Sequence, residues 1–184
     1  MKRVLIGALV AAVIAFALQA VAWMGNFYPN FAKYTSNQDT VIENLSQNLT
    51  EDGLYYVPYV PADATSEQRE EYAKTATGKP WAMVFYHQKM EDAMGMSMTM
   101  GFIHNFISAF IVGLILFYGN FKSYWGKFFV SMGIFVTVIL VGIMDEVLWW
   151  SFPGSFIYPQ IIDVFLDWGV ASFWLAFFIK PKTA

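Results

Sequence analysis

Long apolar runs, separated by one extended polar stretch, dominate the chain. Four runs reach the roughly 20 residues that a helix needs to cross a bilayer. They lie at about 4–24, 98–118, 128–150 and 160–179. The pattern predicts an all-α membrane protein, a bundle of four transmembrane helices, with a small α/β extracytoplasmic module between helices 1 and 2.

The predicted organisation has three parts. Residues 1–24 form the first transmembrane helix, residues 25–95 the extracytoplasmic module, and residues 96–184 helices 2–4 with a cytoplasmic C-terminus. The first apolar run follows Lys2 and Arg3, as in a secretory signal, but it continues through Val21 and is long enough to span. We therefore expect it to stay in place as a membrane anchor.

Turn and capping residues divide the predicted module into helices and strands. Ser36 is expected to cap a first helix, and Thr65 with Gln68 forms a capping box that opens a second helix at 66–74. Between them, the run at 54–60 is β-rich but contains prolines, which restrict it to an edge strand. The run at 80–87 is expected to pair with it.

Short basic segments predict the orientation of the bundle. Basic pairs precede helix 1, separate helices 2 and 3, and follow helix 4; they are Lys2 and Arg3, Lys122 and Lys127, and Lys180 and Lys182. The positive-inside rule places all three segments in the cytoplasm. Both termini are then cytoplasmic and residues 25–95 periplasmic, if the membrane is a bacterial inner membrane.

Two stretches resemble a known family. The first is "VLIGALVAAVIAFALQAVAW" at 4–23, and the second is "GLYYVPYVP" at 53–61. Both resemble segments of a family of small, uncharacterised bacterial inner-membrane proteins with four helices and an extracytoplasmic loop module. The resemblance implies that architecture and no particular function.

Composition excludes several classes of function. With 57% apolar and 14% charged residues the chain is too apolar for a soluble domain. The absence of cysteine rules out disulfides, zinc–thiolate sites and cysteine catalysis. A net charge of −3 gives nucleic acid no basic surface to bind. Because no nucleophile–base motif, phosphate loop or dinucleotide fingerprint is present, we do not expect an enzyme.

Polar residues in the predicted spans are the first candidate site. Ionisable groups are costly in a bilayer and often functional. They form a predicted buried polar cluster in the outer half: Gln19, His104, Asn105, Asp145, Glu146, Asp163 and Asp167. His104 and Asp167 have similar depths and are expected to meet, either as a structural hydrogen-bonded pair or as a functional site. Asp163 is interpreted as lying in the first turns of helix 4, where its charge suits the helix dipole.

Methionines form the second candidate site. Thioether sulfur is a ligand that selects Cu(I). Five methionines precede His104: Met90, Met94, Met96, Met98 and Met100. On a helix only residues four apart share a face, so the possible ligand set is Met96, Met100 and His104. The alternative is that methionine fills gaps at an irregular helix mouth, and we favour that interpretation.

Helix 1 also carries a stripe of small residues, Gly7, Ala11 and Ala15, which allows another helix to approach closely. The stripe packs either within this bundle or against other membrane-protein subunits. We therefore predict a non-catalytic accessory subunit of a larger respiratory, photosynthetic or transport complex. The alternative is a periplasm-facing protein that binds copper or a small ligand.

Overall fold

The structure is a computed structural model and describes residues 1–182. It is mostly helical, with four long helices and one small sheet. All four long helices are long and apolar enough to cross a membrane. They span Lys2–Met24, Met94–Tyr118, Tyr124–Trp150 and Gly154–Phe178.

Two of the long helices contain a π-helical turn. The first helix is α1 (Lys2–Met24) and the second is α4 (Met94–Tyr118). The third consists of α5 (Tyr124–Val138), a π segment (Ile139–Ile143) and α6 (Met144–Trp150). The fourth consists of α7 (Gly154–Asp163), a π segment (Val164–Trp168) and α8 (Gly169–Phe178). A π turn holds one extra residue, so it changes which residues face inwards beyond it.

The four long helices pack as an antiparallel bundle. Val4 of α1 lies against Gly113 of α4, while Gln19 bonds Asn105, so the two helices run in opposite directions. Small residues on α1 permit this close packing. The core is built from buried side chains of all four helices: Val4, Ala8, Ala11, Ala109, Val112, Leu116, Phe135, Trp168, Ala171, Leu175 and Ile179.

Both termini of the bundle lie at the end that carries the turn between α4 and α5. The Lys182 N–H donates to the Phe117 carbonyl at 2.8 Å, which ties the C-terminal segment to the end of α4. Nζ of Lys127 donates to the Ile179 carbonyl at 2.7 Å. The three basic segments are therefore brought together at one end, which we call the basic end.

Residues 34–92 form a second compact unit. It contains α2 (Gln38–Asn48), β1 (Gly53–Val57), α3 (Ser66–Ala76) and β2 (Ala82–Tyr86). The strands pair antiparallel with Gly53 opposite Tyr86, and the Thr65–Gln68 capping box is present, so both predictions are confirmed. The predicted Ser36 cap is wrong, because α2 starts one residue later with Asn37 at its N-cap and no side-chain cap.

Helix boundaries differ from the predictions mainly in the fourth helix. Its expected start near 160 is wrong, because Pro153 occupies the N-cap and Pro159 lies inside α7. Asp163 is consequently the last residue of α7, not part of its first turn, and the helix dipole does not account for its position. Residues 25–33 cluster with the long helices, whereas the predicted module begins at residue 25.

Candidate functional site

Asp163 is the centre of a polar cluster among the long helices. Its side chain is only 9% exposed. Nε1 of Trp23 donates to Oδ2 at 2.6 Å, and the Tyr28 hydroxyl donates to Oδ1 at 2.6 Å. Each carboxylate oxygen therefore has a donor, and both donors come from the end of α1 and the segment that follows it.

The chain reverses after α1 to bring Tyr28 to Asp163. Asn26 has a positive φ of 57°, a backbone conformation that asparagine tolerates better than most residues. The Phe27 N–H donates back to the Ala22 carbonyl at 3.0 Å and closes the turn. The rings of Trp23 and Tyr28 then meet edge to face with centroids 5.2 Å apart. The turn thus places both donors on the same carboxylate.

Tyr28 remains a hydrogen-bond donor over a wide pH range. Burial raises its pKa, and the hydrogen bond to Asp163 and the negative charge of that carboxylate raise it further. Burial disfavours the phenolate because it removes water from the charged form, and ionisation would also place a second negative charge against that of Asp163. The contact of Tyr28 with Asp163 is therefore a stable attachment of residues 25–33 to the fourth helix.

A second polar contact joins the first two helices. Nδ2 of Asn105 donates to Oε1 of Gln19 at 2.9 Å, and Asn105 is 7% exposed. Each amide reduces the cost of burying the other. The predicted cluster thus does include Gln19 and Asn105 as partners.

Asp167 is the most deeply buried acid of the cluster. It is 1% exposed, and its Oδ2 has no hydrogen-bond partner among residues 1–182. The Gln19 amide and the Asp163 carboxylate are its polar neighbours. A buried acceptor without a donor costs roughly 1–3 kcal/mol. Asp167 is therefore a polar group that the described part of the chain leaves incompletely satisfied.

The predicted pairing of His104 with Asp167 is not formed. His104 is exposed on the bundle surface and makes no hydrogen bond within the described residues. Its neighbour Asn105 faces inwards instead, because successive residues of an α-helix differ by about 100° in direction. The predicted depth of a residue along its helix does not determine which face of the helix it lies on.

The other two predicted cluster members lie nearer the end of the third helix. Asp145 and Glu146 are half-buried in the first turn of α6. Nε2 of Gln160 approaches Oε2 of Glu146 at 3.5 Å, the limit for a hydrogen bond. This contact joins the third and fourth helices and is separate from the donors on Asp163.

The small-residue stripe on α1 is buried within the chain. Gly7, Ala11 and Ala15 are all buried. Nε1 of Trp174 donates to the Gly7 carbonyl at 3.0 Å, and a side chain at position 7 would come within 2.8 Å of Ile179. Of the two alternatives for this stripe, packing within its own bundle is the one that the contacts support.

The methionine set lies on one exposed face of α4. Met96 is 68% exposed and Met100 is 42% exposed, and His104 follows on the same face. Neighbours four residues apart are separated by about 6 Å along the helix axis. An adjacent pair such as Met100 and His104 is thus close enough to share one ion.

The 34–92 unit has its own polar contact beside a groove of about 710 Å³. Asp52 accepts the Gln88 N–H at 2.9 Å and lies 3.3 Å from Nδ1 of His87. The backbone hydrogen bond, followed by the His87 contact, lowers the pKa of Asp52. Both side chains are largely exposed, so this contact organises a turn at the surface.

Sequence reasoning missed the two donors to Asp163. The sequence pattern assigns the polar atoms of Trp23 and Tyr28 to no acceptor. The signal was present, because a buried carboxylate needs donors and both residues lie at the same end of the bundle. Comparisons with protein-family models, curated proteins and solved structures give no match to this chain.

Proposed function

We propose that the chain is a multi-pass protein of the bacterial inner membrane with cytoplasmic termini and a periplasmic 25–95 segment. The basic end supports this orientation, because cytoplasmic loops carry the excess of Lys and Arg. Single cysteines from Gln47→Cys and Ser123→Cys test it by labelling intact cells with an impermeant thiol reagent. We expect position 47 to be labelled and position 123 to be protected, and the reverse would overturn the orientation.

Within that membrane, the proposed function is that of a non-catalytic accessory subunit which stabilises a larger complex. The lipid bilayer and other membrane-protein subunits are its partners in this proposal. The complex belongs to the respiratory, photosynthetic or transport class. Because the stripe on α1 is used inside the bundle, it no longer supports this function, and the support comes from the third helix.

The outward face of the third helix carries the proposal. Among the four long helices it is the least buried, with 17% of its most apolar stretch buried compared with 28% to 44% in the others. Gly133 and Thr137, four residues apart, are both exposed on that face. Close helix packing in membranes uses small residues with this spacing.

Packing within the chain does not require a glycine at position 133. A Cβ atom added there would meet no atom within 4 Å. Glycine destabilises a helix by roughly 1 kcal/mol relative to alanine, so it is costly where nothing packs closely. A helix of a partner subunit, seated against Gly133 and Thr137, accounts for that cost.

Native purification tests the subunit proposal. The tagged protein, extracted from its own membranes, should migrate with partner subunits that native mass spectrometry identifies. Gly133→Leu should release them, because a large side chain blocks close approach without touching this chain. Gly95→Leu is the matched control, since Gly95 is also an exposed helical glycine with free space around it. A wild-type chain that migrates alone, or a Gly133→Leu chain that keeps its partners, contradicts the proposal.

The exposed face of Met96, Met100 and His104 favours a second candidate, a periplasm-facing Cu(I) site. His104 is free of hydrogen bonds within the described residues, so its ring nitrogens are open to a ligand. The purified wild-type chain would then carry copper, and Met96→Leu with Met100→Leu would lose it. Equal copper content in the two proteins, measured by mass spectrometry of the metal, excludes this candidate.

A further inference from the structure

The basic end of the bundle has no acidic side chain to balance its charge. Its six cationic residues are Lys2, Arg3, Lys122, Lys127, Lys180 and Lys182. Within 1–33 and 93–182 the acidic side chains all lie between residues 145 and 167. The Asp163 contact with Trp23 places these acids towards the opposite end of α1. The charge of about +6 on these six side chains is therefore not neutralised by any acidic side chain of the bundle.

Lys127 is the most enclosed of these cations. It is 7% exposed, and the one hydrogen bond that its Nζ makes within residues 1–182 goes to the Ile179 carbonyl at 2.7 Å. That contact caps the last turn of α8, but a carbonyl supplies only a partial negative charge. An ammonium group has three donors, so two remain. The cap therefore explains the position of Lys127 and leaves its full charge uncompensated.

Lys180 adds a second positive charge at the same place. It follows the carbonyl that Lys127 contacts, it is exposed, and its charge acts unfavourably on Lys127. The positive charges of Lys127 and Lys180 repel each other, and no acidic side chain lies at this end of the bundle. An anion between them converts that repulsion into two attractions.

The start of α5 contributes further positive potential. Ser123 accepts the Gly126 N–H at 2.9 Å, while the first N–H groups of the helix, at Tyr124 and Trp125, have no partner within it. The helix dipole makes this terminus positive, so Lys127 in the first turn lies at an unfavourable position. An anion at this end offsets both effects.

We propose that an anionic phospholipid binds at the basic end, with its headgroup phosphate held between Lys127 and Lys180. This commits to a lipid because exposed apolar side chains lie on the same first turns of α5 as Lys127: Trp125 is 57% and Phe129 is 66% exposed. Aromatic side chains at the interface and an outward apolar helix face suit the glycerol and acyl regions of a lipid. The inference rests on the membrane location proposed above.

Native mass spectrometry of the full chain, released from nanodiscs of phosphatidylglycerol or phosphatidylcholine, tests the site. The wild-type chain should retain phosphatidylglycerol and not phosphatidylcholine. Lys127→Gln and Lys180→Gln should each weaken retention about 5-fold, since one lysine near anionic lipid contributes about 1 kcal/mol. Lys79→Gln, which removes an exposed lysine of the 34–92 unit, is the matched control and should change nothing.

Three outcomes would overturn the proposal. They are equal retention of the two lipids, unchanged retention in Lys180→Gln, and displacement of phosphatidylglycerol by inorganic phosphate at equal concentration, which would identify a free-phosphate site. Lys180 is exposed, so its variant keeps the test valid if Lys127→Gln does not fold. Recovery of the chain in washed membranes tests the membrane location separately. If the chain is recovered there but retains no lipid, only the lipid site is overturned.

Discussion

Tyr28→Phe isolates the hydrogen bond that fastens residues 25–33 to the fourth helix. The change removes one hydroxyl and keeps the ring, including its edge-to-face contact with Trp23. A hydrogen bond to a charged group contributes about 1.5–3 kcal/mol. Tyr28 is only half-buried and Asp163 keeps its second donor, so we expect the lower value, about 1.5 kcal/mol. For a chain of this length that is a fall of roughly 3–6 °C in Tm.

Thermal unfolding of the purified protein in one fixed detergent measures this loss. Tyr158→Phe is the control, because Tyr158 is exposed and makes no hydrogen bond within the described residues. A double-mutant cycle with Asp163→Ala, which removes both acceptor oxygens, then assigns the loss to the pair: in that background, Tyr28→Phe should cost less than about 0.5 kcal/mol. The reasoning is refuted if Tyr28→Phe costs no more than the control, or if its cost is the same with and without Asp163.

Three further predictions concern pH and packing. Because the pKa of Tyr28 is raised in the folded protein, the contribution of Tyr28 to stability is complete below the ordinary tyrosine pKa of 10.0 and is lost at higher pH. Above pH 10, thermal scans should therefore show a larger loss of stability for the wild type than for Tyr28→Phe. Gly7→Val should cost about 1–3 kcal/mol by overpacking, whereas Gly133→Ala should stabilise the isolated chain by up to about 1 kcal/mol, both measured as changes in Tm. Because the pKa of Asp52 is lowered in the folded protein, the contribution of Asp52 to stability is present above the ordinary aspartate pKa of 3.8 and is lost below it. Hydrogen exchange should therefore show that the Gln88 N–H loses protection as Asp52 is protonated. Asp52→Asn should remove this pH dependence.

The four long helices could be predicted from the sequence because apolar length alone specifies them. The Thr65–Gln68 capping box and the strand pairing could be predicted too, since both depend on contacts that local residue types determine. The long helices and the capping box each need only the residue pattern of one element, and the strand pairing needs only two neighbouring β-rich runs.

The contacts of the candidate site needed rotation as well as depth. His104 and Asn105 differ by one residue, yet only Asn105 faces Gln19. The π segment at Val164–Trp168 shifts the inward face of the fourth helix, and no residue pattern predicted it. The contact of Tyr28 with Asp163 could not be predicted, because the turn at Asn26 that makes it possible depends on tertiary packing.

The two π segments also affect how the length of this chain can vary. A π turn accommodates one more residue than an α turn over the same rise. Loss of a single residue within Val164–Trp168 would therefore restore a regular helix and leave the flanking contacts, such as Trp174 with Gly7, facing the same way. The same deletion in the middle of α4 would rotate every later residue by about 100°. Tolerated single-residue deletions in the long helices should therefore concentrate in Ile139–Ile143 and Val164–Trp168, which makes these segments the natural sites for length differences to accumulate.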